Sequence, residues 1–296
     1  MSSLDLRELT LESWIDFVRL SEHLSGFAFR GQSDAAWALS TSLERTQSQF
    51  AKTYALPTVG ERWALHEFKS KFHLYSAGAP ADDDQFEWLA ILQHHGCPTR
   101  LLDFTRSIYI ALHFAAAHAT GPAAIWCLSH WEIRDGLCRR FDLPYKLRHA
   151  LKDEVNLHHK NLFNSLFPGD SKKGTQPHLI PLESVKLSAR VARQQALFFA
   201  PTTVGGIGQS VTFEQCLLAS ISDTPLQKIE FAQISLPEVL LTKEPAHAFG
   251  CIKIVLQESL QASARTQLAH MSLTEEGLFP DLDGLARSLV MKHLRR

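Results

Sequence analysis

Apolar residues recur at helical spacing through Leu11, Trp14, Ile15 and Val18, which predicts an amphipathic first helix ending near Gly26. The next residues, Phe27-Ala28-Phe29-Arg30-Gly31, alternate as a strand does, and Gly31 closes the run. Trp37, Leu39 and Leu43 lead through Ser40-Thr41-Ser42 toward a helix that runs from near Glu61 through Trp63, Leu65, Phe68 and Phe72.

The densest pattern lies between Gln93 and Phe114. Upstream of it, Asp82, Asp83 and Asp84 supply N-cap and first-turn acids for a helix with Phe86, Leu89, Ala90 and Gln93 on one face. His94 and His95 fall in its last turn, Gly96 suits its C′ position, and Pro98 prevents continuation. Leu101, Leu102 and Phe104 then read as a short buried strand with Asp103 among them, and Thr105 or Ser107 caps a buried helix carrying Ile108, Ala111, Leu112 and Ala115. A carboxylate at such a strand end is costly without a partner. Asp103 either caps its own loop or pairs with Arg100, Arg106 or a ligand, and the pattern places it largely buried, bonded to Thr105, Arg100 or backbone amides. Arg30, also at a strand end, has two readings: an ion pair with Glu44 or Asp103, or contact with a ligand.

Further on, Ala123 to Leu128 predicts a strand, while residues from about 129 to 180 are polar and irregular and read as a variable helical insertion over the core. Two helices are expected there, Pro144 to Glu154 and Leu157 to Leu166. Strands are expected at Leu197 to Ala200, Gln209 to Phe213, Lys228 to Gln233 and Cys251 to Leu256, and helices at Leu260 to His270 and Leu282 to Lys292. Gly205-Gly206-Ile207-Gly208 is a loop without the spacing of a dinucleotide-binding fingerprint. Strands and helices alternate without a βαβ rhythm, which predicts an α+β fold: one unit over 1–296 with a mostly antiparallel central sheet flanked by helices.

Charge and cysteine usage narrow the chemistry. Net charge is −1, so no overall electrostatic footprint for nucleic acid exists, although Arg139, Arg140, Lys146, Arg148 and Lys152 form a local basic cluster that keeps nucleic acid among the partners to consider. The five cysteines include no Cys-x-x-Cys, which argues against a disulfide framework or zinc knuckle and for reduced, cytoplasmic residence. The apolar run from Ile108 to Leu128 is broken by Thr120-Gly121-Pro122, so it predicts a buried helix, a turn and a strand and no membrane association. His94-His95-x-Cys97 lacks a second ligand pair, and no metal is expected.

Four blocks carry a resemblance. Phe29-Arg30-Gly31-Gln32 comes first, followed by the block from Gln93 through Thr99, Arg100 and Asp103 to Thr105. Arg193-Gln194-Gln195-Ala196-Leu197-Phe198 is the third and Leu278 to Ala286 the fourth. Together they resemble the FRG-domain family, with Phe104 where that family more often has Trp and Ala196 where it usually has Gly. More loosely, the order resembles ADP-ribosyltransferases: an Arg on the first strand, a strand feeding a helix, then a Gln-bearing strand. Asp103 stands where that superfamily has its first Ser, and no glutamate stands in the third block, so Glu214 is the rival acid.

The resemblance implies an ADP-ribosyltransferase-like fold and a nucleotide site of NAD type, with NAD as substrate. Arg30, Asp103, Thr105, Gln195 and Glu214 would be its catalytic residues, and Arg30, Gly31, His95, Thr99 and Arg100 would bind the nucleotide. The acceptor would be a macromolecule, or water if the chain is a glycohydrolase, and an effector of this kind in bacterial defence or toxicity would have a neutralising partner protein. The alternatives are a non-catalytic nucleotide or nucleic-acid binding module, and a hydrolase using His95 and Asp103 as acid–base groups.

Overall fold

A computed structural model describes residues 6–50, 57–143, 152–167, 176–184, 188–204, 211–222 and 230–294. The chain opens with strand β1 (Leu6–Leu11) and helix α1 (Trp14–Ser21), which Ser13 caps by accepting from the Asp16 amide. Strand β2 (Phe27–Gln32) leads to α2 (Ser42–Phe50) and α3 (Pro57–Lys71). Helix α4 (Gln85–His94) starts at the Asp84 cap, and Gly96 takes φ +87° behind it, as its C′ position requires. Strand β3 (Leu102–Thr105) feeds α5 (Ile108–Ala116), capped by Ser107, and β4 (Ala123–Ser129) follows.

Helices α6 (His130–Arg140) and α7 (Lys152–Leu166) precede β5 (Leu179–Leu182), α8 (Ala189–Arg193), β6 (Ala196–Pro201) and α9 (Phe213–Ile221). The last elements are β7 (Ala232–Gln233), α10 (Leu236–Leu241), α11 (Pro245–Ala248), β8 (Cys251–Leu256), α12 (Glu258–His270), α13 (Glu275–Leu278) and α14 (Leu282–His293).

Eight strands form one sheet in the order β5-β6-β3-β2-β4-β8-β1-β7. The fold is α+β, but the sheet is mixed where a mostly antiparallel one was expected: β8-β1 and β1-β7 are parallel and the other five pairings antiparallel. The cause is β1, whose polar Arg7 and Glu8 hide it in the sequence pattern and which pairs in full register with β8, Leu6 to Cys251 and Leu11 to Leu256.

Alternation along the central strands builds two cores. Phe29, Ile125, Cys127 and Ile252 pack with α1, α5 and α12 on one face, while Ala28, Phe104, Trp126 and Leu128 pack with Phe213 and Leu217 of α9 on the other. A third cluster joins α3, α4 and α7 to β5 and β6 through Trp88, Phe86, Phe163 and Phe198. Helix α5 lies directly on β2 at Gly31, where a Cβ would stand 1.9 Å from the Ala111 carbonyl oxygen and 2.7 Å from the Ala115 nitrogen.

Other expectations are corrected locally. Thr212 caps α9 in a capping box with Gln215, so Phe213 begins a helix where a strand was expected over Gln209 to Phe213; residues 209–210 lie outside the described part. Residues 144–151 also lie outside it, with Lys146 and Arg148 of the basic cluster, as do 228–229 and Gly205 to Gly208. The polar stretch after β4 holds α6, which Ser129 caps, and which the sequence pattern had left irregular. Among the described residues no helix is long and apolar enough to cross a membrane, and all five cysteines are free thiols.

Candidate functional site

Between β2, β3, β6 and the helices α4, α5 and α8 lies a cavity of about 260 Å³ that opens to solvent. Every one of the four sequence blocks reaches it: Phe29, Arg30 and Gly31 from the first, Gln93, His94, Asp103 and Thr105 from the second, Gln194, Ala196 and Phe198 from the third, and Phe279 from the fourth. Register accounts for much of this. Thr105 pairs with both Phe29 and Ala196, and Asp103 pairs with Phe198, so these side chains share one face of the sheet.

Arg30 and Asp103 meet on the cavity wall. Arg30 Nη1 donates to the Asp103 backbone carbonyl at 2.7 Å, and its Nε is buried without a hydrogen-bond partner. Burial lowers the Arg30 pKa, Asp103 opposes that shift and Arg45 adds to it. The ion pair with Glu44 that the sequence allowed does not form, because Glu44 accepts from the Thr41 and Phe213 amides, each at 2.6 Å.

Asp103 is solvent-exposed, correcting the expectation that it is largely buried. Its Oδ1 accepts from Gln93 Nε2 at 2.8 Å, and neither Arg100 nor Arg106 is its partner. Even so, desolvation raises its pKa above the ordinary carboxylate range, against the pull of Arg30, Arg190 and the Gln93 bond. The two facts fit a group on the floor of a concavity: solvent reaches it, but protein crowds it and withholds the full hydration a carboxylate needs. Surface accessibility tells what can touch Asp103; the crowding tells what its charge costs.

Around this pair the supports are layered. Thr99 is fully buried; its hydroxyl donates to Gln93 Oε1 and its amide donates to Ser42 Oγ at 3.0 Å. Thr99 therefore orients Gln93, which in turn orients Asp103. The Thr105 hydroxyl donates to the Gln194 carbonyl at 2.7 Å and accepts from the Ser107 amide at 3.1 Å. Gln194 Nε2 donates to the Leu278 carbonyl at 3.2 Å, tying α8 to the C-terminal block.

Several expected site residues lie elsewhere. Arg100 is buried in an ion pair with Glu61, its Nε 2.6 Å from Oε2 and its own amide 2.8 Å from Oε1. His95 caps α4, stacks edge-on with His94 at 5.1 Å and does not line the cavity, which leaves the His95–Asp103 hydrolase arrangement unformed. Gln195 takes φ +46° in the turn between α8 and β6, and it is the preceding Gln194 that lines the wall. Glu214 sits at the start of α9, accepts from the Leu39 amide at 2.9 Å and is not a lining residue; burial raises its pKa.

The structure adds residues that the sequence reading left out. Arg190 lines the cavity from α8 with its guanidinium 4.6 Å from the centre of the Phe279 ring, and Phe114 contributes from α5. The spacing of Arg190 and Gln194, one helical turn apart and ahead of a strand, is the signal that could have marked them. His94 is the lining imidazole, and burial, then Arg190 and His95, press its pKa below the ordinary value.

Comparison with known proteins then gives the class. Residues 25–123 match the FRG domain family, so this segment of the chain carries an FRG domain. No curated protein and no solved structure matches it.

Proposed function

We propose that this cavity binds a nucleotide of NAD type. The observation that carries the reading is the composition of one concavity: Arg30 and Arg190 beside a single lining carboxylate, Asp103, within walls of Phe29, Phe104, Phe114, Phe198 and Phe279. Arginine forks match phosphate oxygens in bidentate fashion, and aromatic walls suit a flat base. Asp103 and Gln93 offer acceptors and donors to ribose hydroxyls. At about 260 Å³ the space falls just below the ~300–1,000 Å³ usual for ligand pockets. It therefore takes one half of a dinucleotide, the nicotinamide ribose end, with the adenosine half at the opening.

For ADP-ribosyl transfer the bond that breaks joins C1′ of the ribose to the cationic nicotinamide nitrogen, and the acceptor's nucleophile closes on C1′. Asp103 is the carboxylate placed to face the positive charge that develops there, in place of Gln195 or Glu214. The acceptor is an external group.

Isothermal titration tests the binding. NAD and ADP-ribose release heat with the native protein, and Arg190→Ala weakens both at least about tenfold, as loss of a charge-assisted hydrogen bond would. Absence of heat with every nucleotide tried overturns the reading.

A further inference from the structure

Helix α14 turns its apolar face to solvent. Its inner side sits on the end of α13 through Gly284, where a Cβ would stand 2.0 Å from the Phe279 carbonyl oxygen. Arg287 holds the same junction, with its Nε 2.8 Å from Glu275 Oε1 and its guanidinium 4.6 Å from the centre of the Phe279 ring. At about 3.6 residues per turn, Leu282, Leu285, Ala286, Leu289 and Val290 form one stripe centred opposite Gly284.

A surface helix ordinarily lays such a stripe on the core and shows its charges to water. Here Leu282 is 83% exposed, Leu289 47% and Val290 42%. Among the described residues no other α-helix exposes more than one large apolar side chain. Apolar side chains exposed singly are ordinary on a protein surface, whereas a contiguous stripe marks a contact surface.

The spacing of the stripe indicates its occupant. Leu282, Leu285, Ala286 and Leu289 are separated by three, one and three positions, the same pattern from either end. Two copies crossing antiparallel about a two-fold axis near Leu285 and Ala286 therefore match each other. Leu282 of each copy meets Leu289 of the other, and Leu285 meets Ala286, so large side chains face small ones at the crossing.

Charge follows the same symmetry. A two-fold axis across the helices brings like flanks together, and Asp283 and Arg287 lie on one flank. The crossing thus sets Asp283 of each copy beside Arg287 of the other. Asp283 is exposed and forms no ion pair among the described residues. The Arg287 side chain is 46% exposed, and Glu275 takes only its Nε, which leaves the Nη groups for a second carboxylate. A membrane surface suits this face less well, because it favours lysine and arginine along the rim and Asp283 stands there.

We propose that α14 is the interface of a homodimer, in which two copies pack antiparallel through this stripe. Contact through one short helix falls below the ~1,200 Å² of stable complexes, so dimer and monomer exchange as protein concentration changes. The proposal is independent of what the first cavity binds.

Sedimentation velocity on the full chain at rising concentration is expected to show monomer giving way to dimer. Leu289→Glu, at an exposed position, is expected to weaken the dimer at least about tenfold, because the two-fold axis introduces the buried charge twice. Asp283→Arg, which sets like charges together, is expected to weaken it about threefold or more. Circular dichroism checks that each variant folds. Under mild oxidation Ala286→Cys, beside the axis, is expected to form a covalent dimer. Leu294→Cys is not, since it lies roughly 25 Å from its counterpart in this arrangement. The native protein, with four buried cysteines and a half-buried Cys97, is the control.

The proposal is overturned by a chain that stays monomeric up to its solubility limit, by a dimer that Leu289→Glu leaves intact, or by cross-linking through Leu294→Cys in place of Ala286→Cys. Flotation with phosphatidylglycerol vesicles covers the other occupant: vesicle binding by the monomer, lost in Leu289→Glu, would assign the stripe to a membrane surface instead.

Discussion

Arg30 and Asp103 stand 73 residues apart in the chain, yet the guanidinium of the first donates to the backbone carbonyl of the second at 2.7 Å. The contact is to the main chain, so it holds strand β3 against β2 without neutralising the Asp103 carboxylate. The carboxylate accepts instead from Gln93 Nε2, and the Arg30 Nε stays buried without a hydrogen-bond partner.

Replacing Arg30 with Ala is expected to abolish nucleotide binding while lowering stability by only about 1.5–3 kcal/mol, the worth of one hydrogen bond from a charged donor. Calorimetry with NAD beside a thermal melt checks both halves. A collapsed melting transition would make Arg30 a structural residue.

Asp103→Asn should cost stability little, within about 1 kcal/mol, because Asn keeps an acceptor for Gln93 and sheds a charge that desolvation disfavours. Nicotinamide release, if the native protein shows it, should fall by at least about a hundredfold through lost charge stabilisation. Denaturant titration and a product assay on the same sample separate the two effects.

Glu61→Ala leaves the Arg100 guanidinium charged and buried, and the expected loss is about 3–5 kcal/mol. Chemical denaturation measures it. A loss below about 1 kcal/mol would show that water reaches Arg100 in solution.

Gly31→Ala places a methyl group 1.9 Å from the Ala111 carbonyl oxygen, so α5 must lift from β2. We expect a loss of about 3 kcal/mol or more, seen as insoluble expression or a strongly lowered Tm. A melt within a few degrees of native would show that α5 tolerates the shift.

Acid should destabilise the fold through His159 and His178. Burial depresses both pKa values from the ordinary 6.5 to about 4, so the unfolded chain binds protons that the native state refuses. Their stabilising effect is complete above pH 6.5 and is lost as pH falls toward 4, by about 1.4 kcal/mol per histidine per pH unit within that window. Tm measured from pH 7 to pH 4.5 should decline, and His178→Gln should flatten the slope.

Local signals were readable wherever a cap or a turn decides the backbone. Asp84, Gly96 and Ser107 fix the ends of α4 and the start of α5 as their chemistry dictates, and the alternation of Phe27, Phe29 and Gly31 gives β2. What escaped depends on distant partners. β1 looks like a polar lead-in until β8 lies beside it, and a parallel pairing across most of the chain leaves no local trace. The site divides the same way. Arg30 and Asp103 stand out at strand ends, but Arg100 looked equally suitable and is taken by Glu61, a residue 39 positions away. For Arg190 the one local mark is its spacing from Gln194, one helical turn ahead of a strand, which groups the two but does not separate solvent from cavity. Gln195 and Gln194 differ by one position, and only the left-handed turn at Gln195 decides which side chain reaches the wall.

The sheet order has a practical consequence for anyone excising the family segment. Residues 25–123 provide β2, β3 and the first residue of β4, side by side at the centre of the sheet, with β6 zipped to β3 on one flank and the rest of β4, then β8, beyond β2 on the other. Cut out alone, that segment would be a keystone without its arch: raw strand edges bearing unpaired amides and carbonyls, and a floor for the cavity with neither Arg190 nor Phe279 above it. Such a fragment should self-associate through those edges.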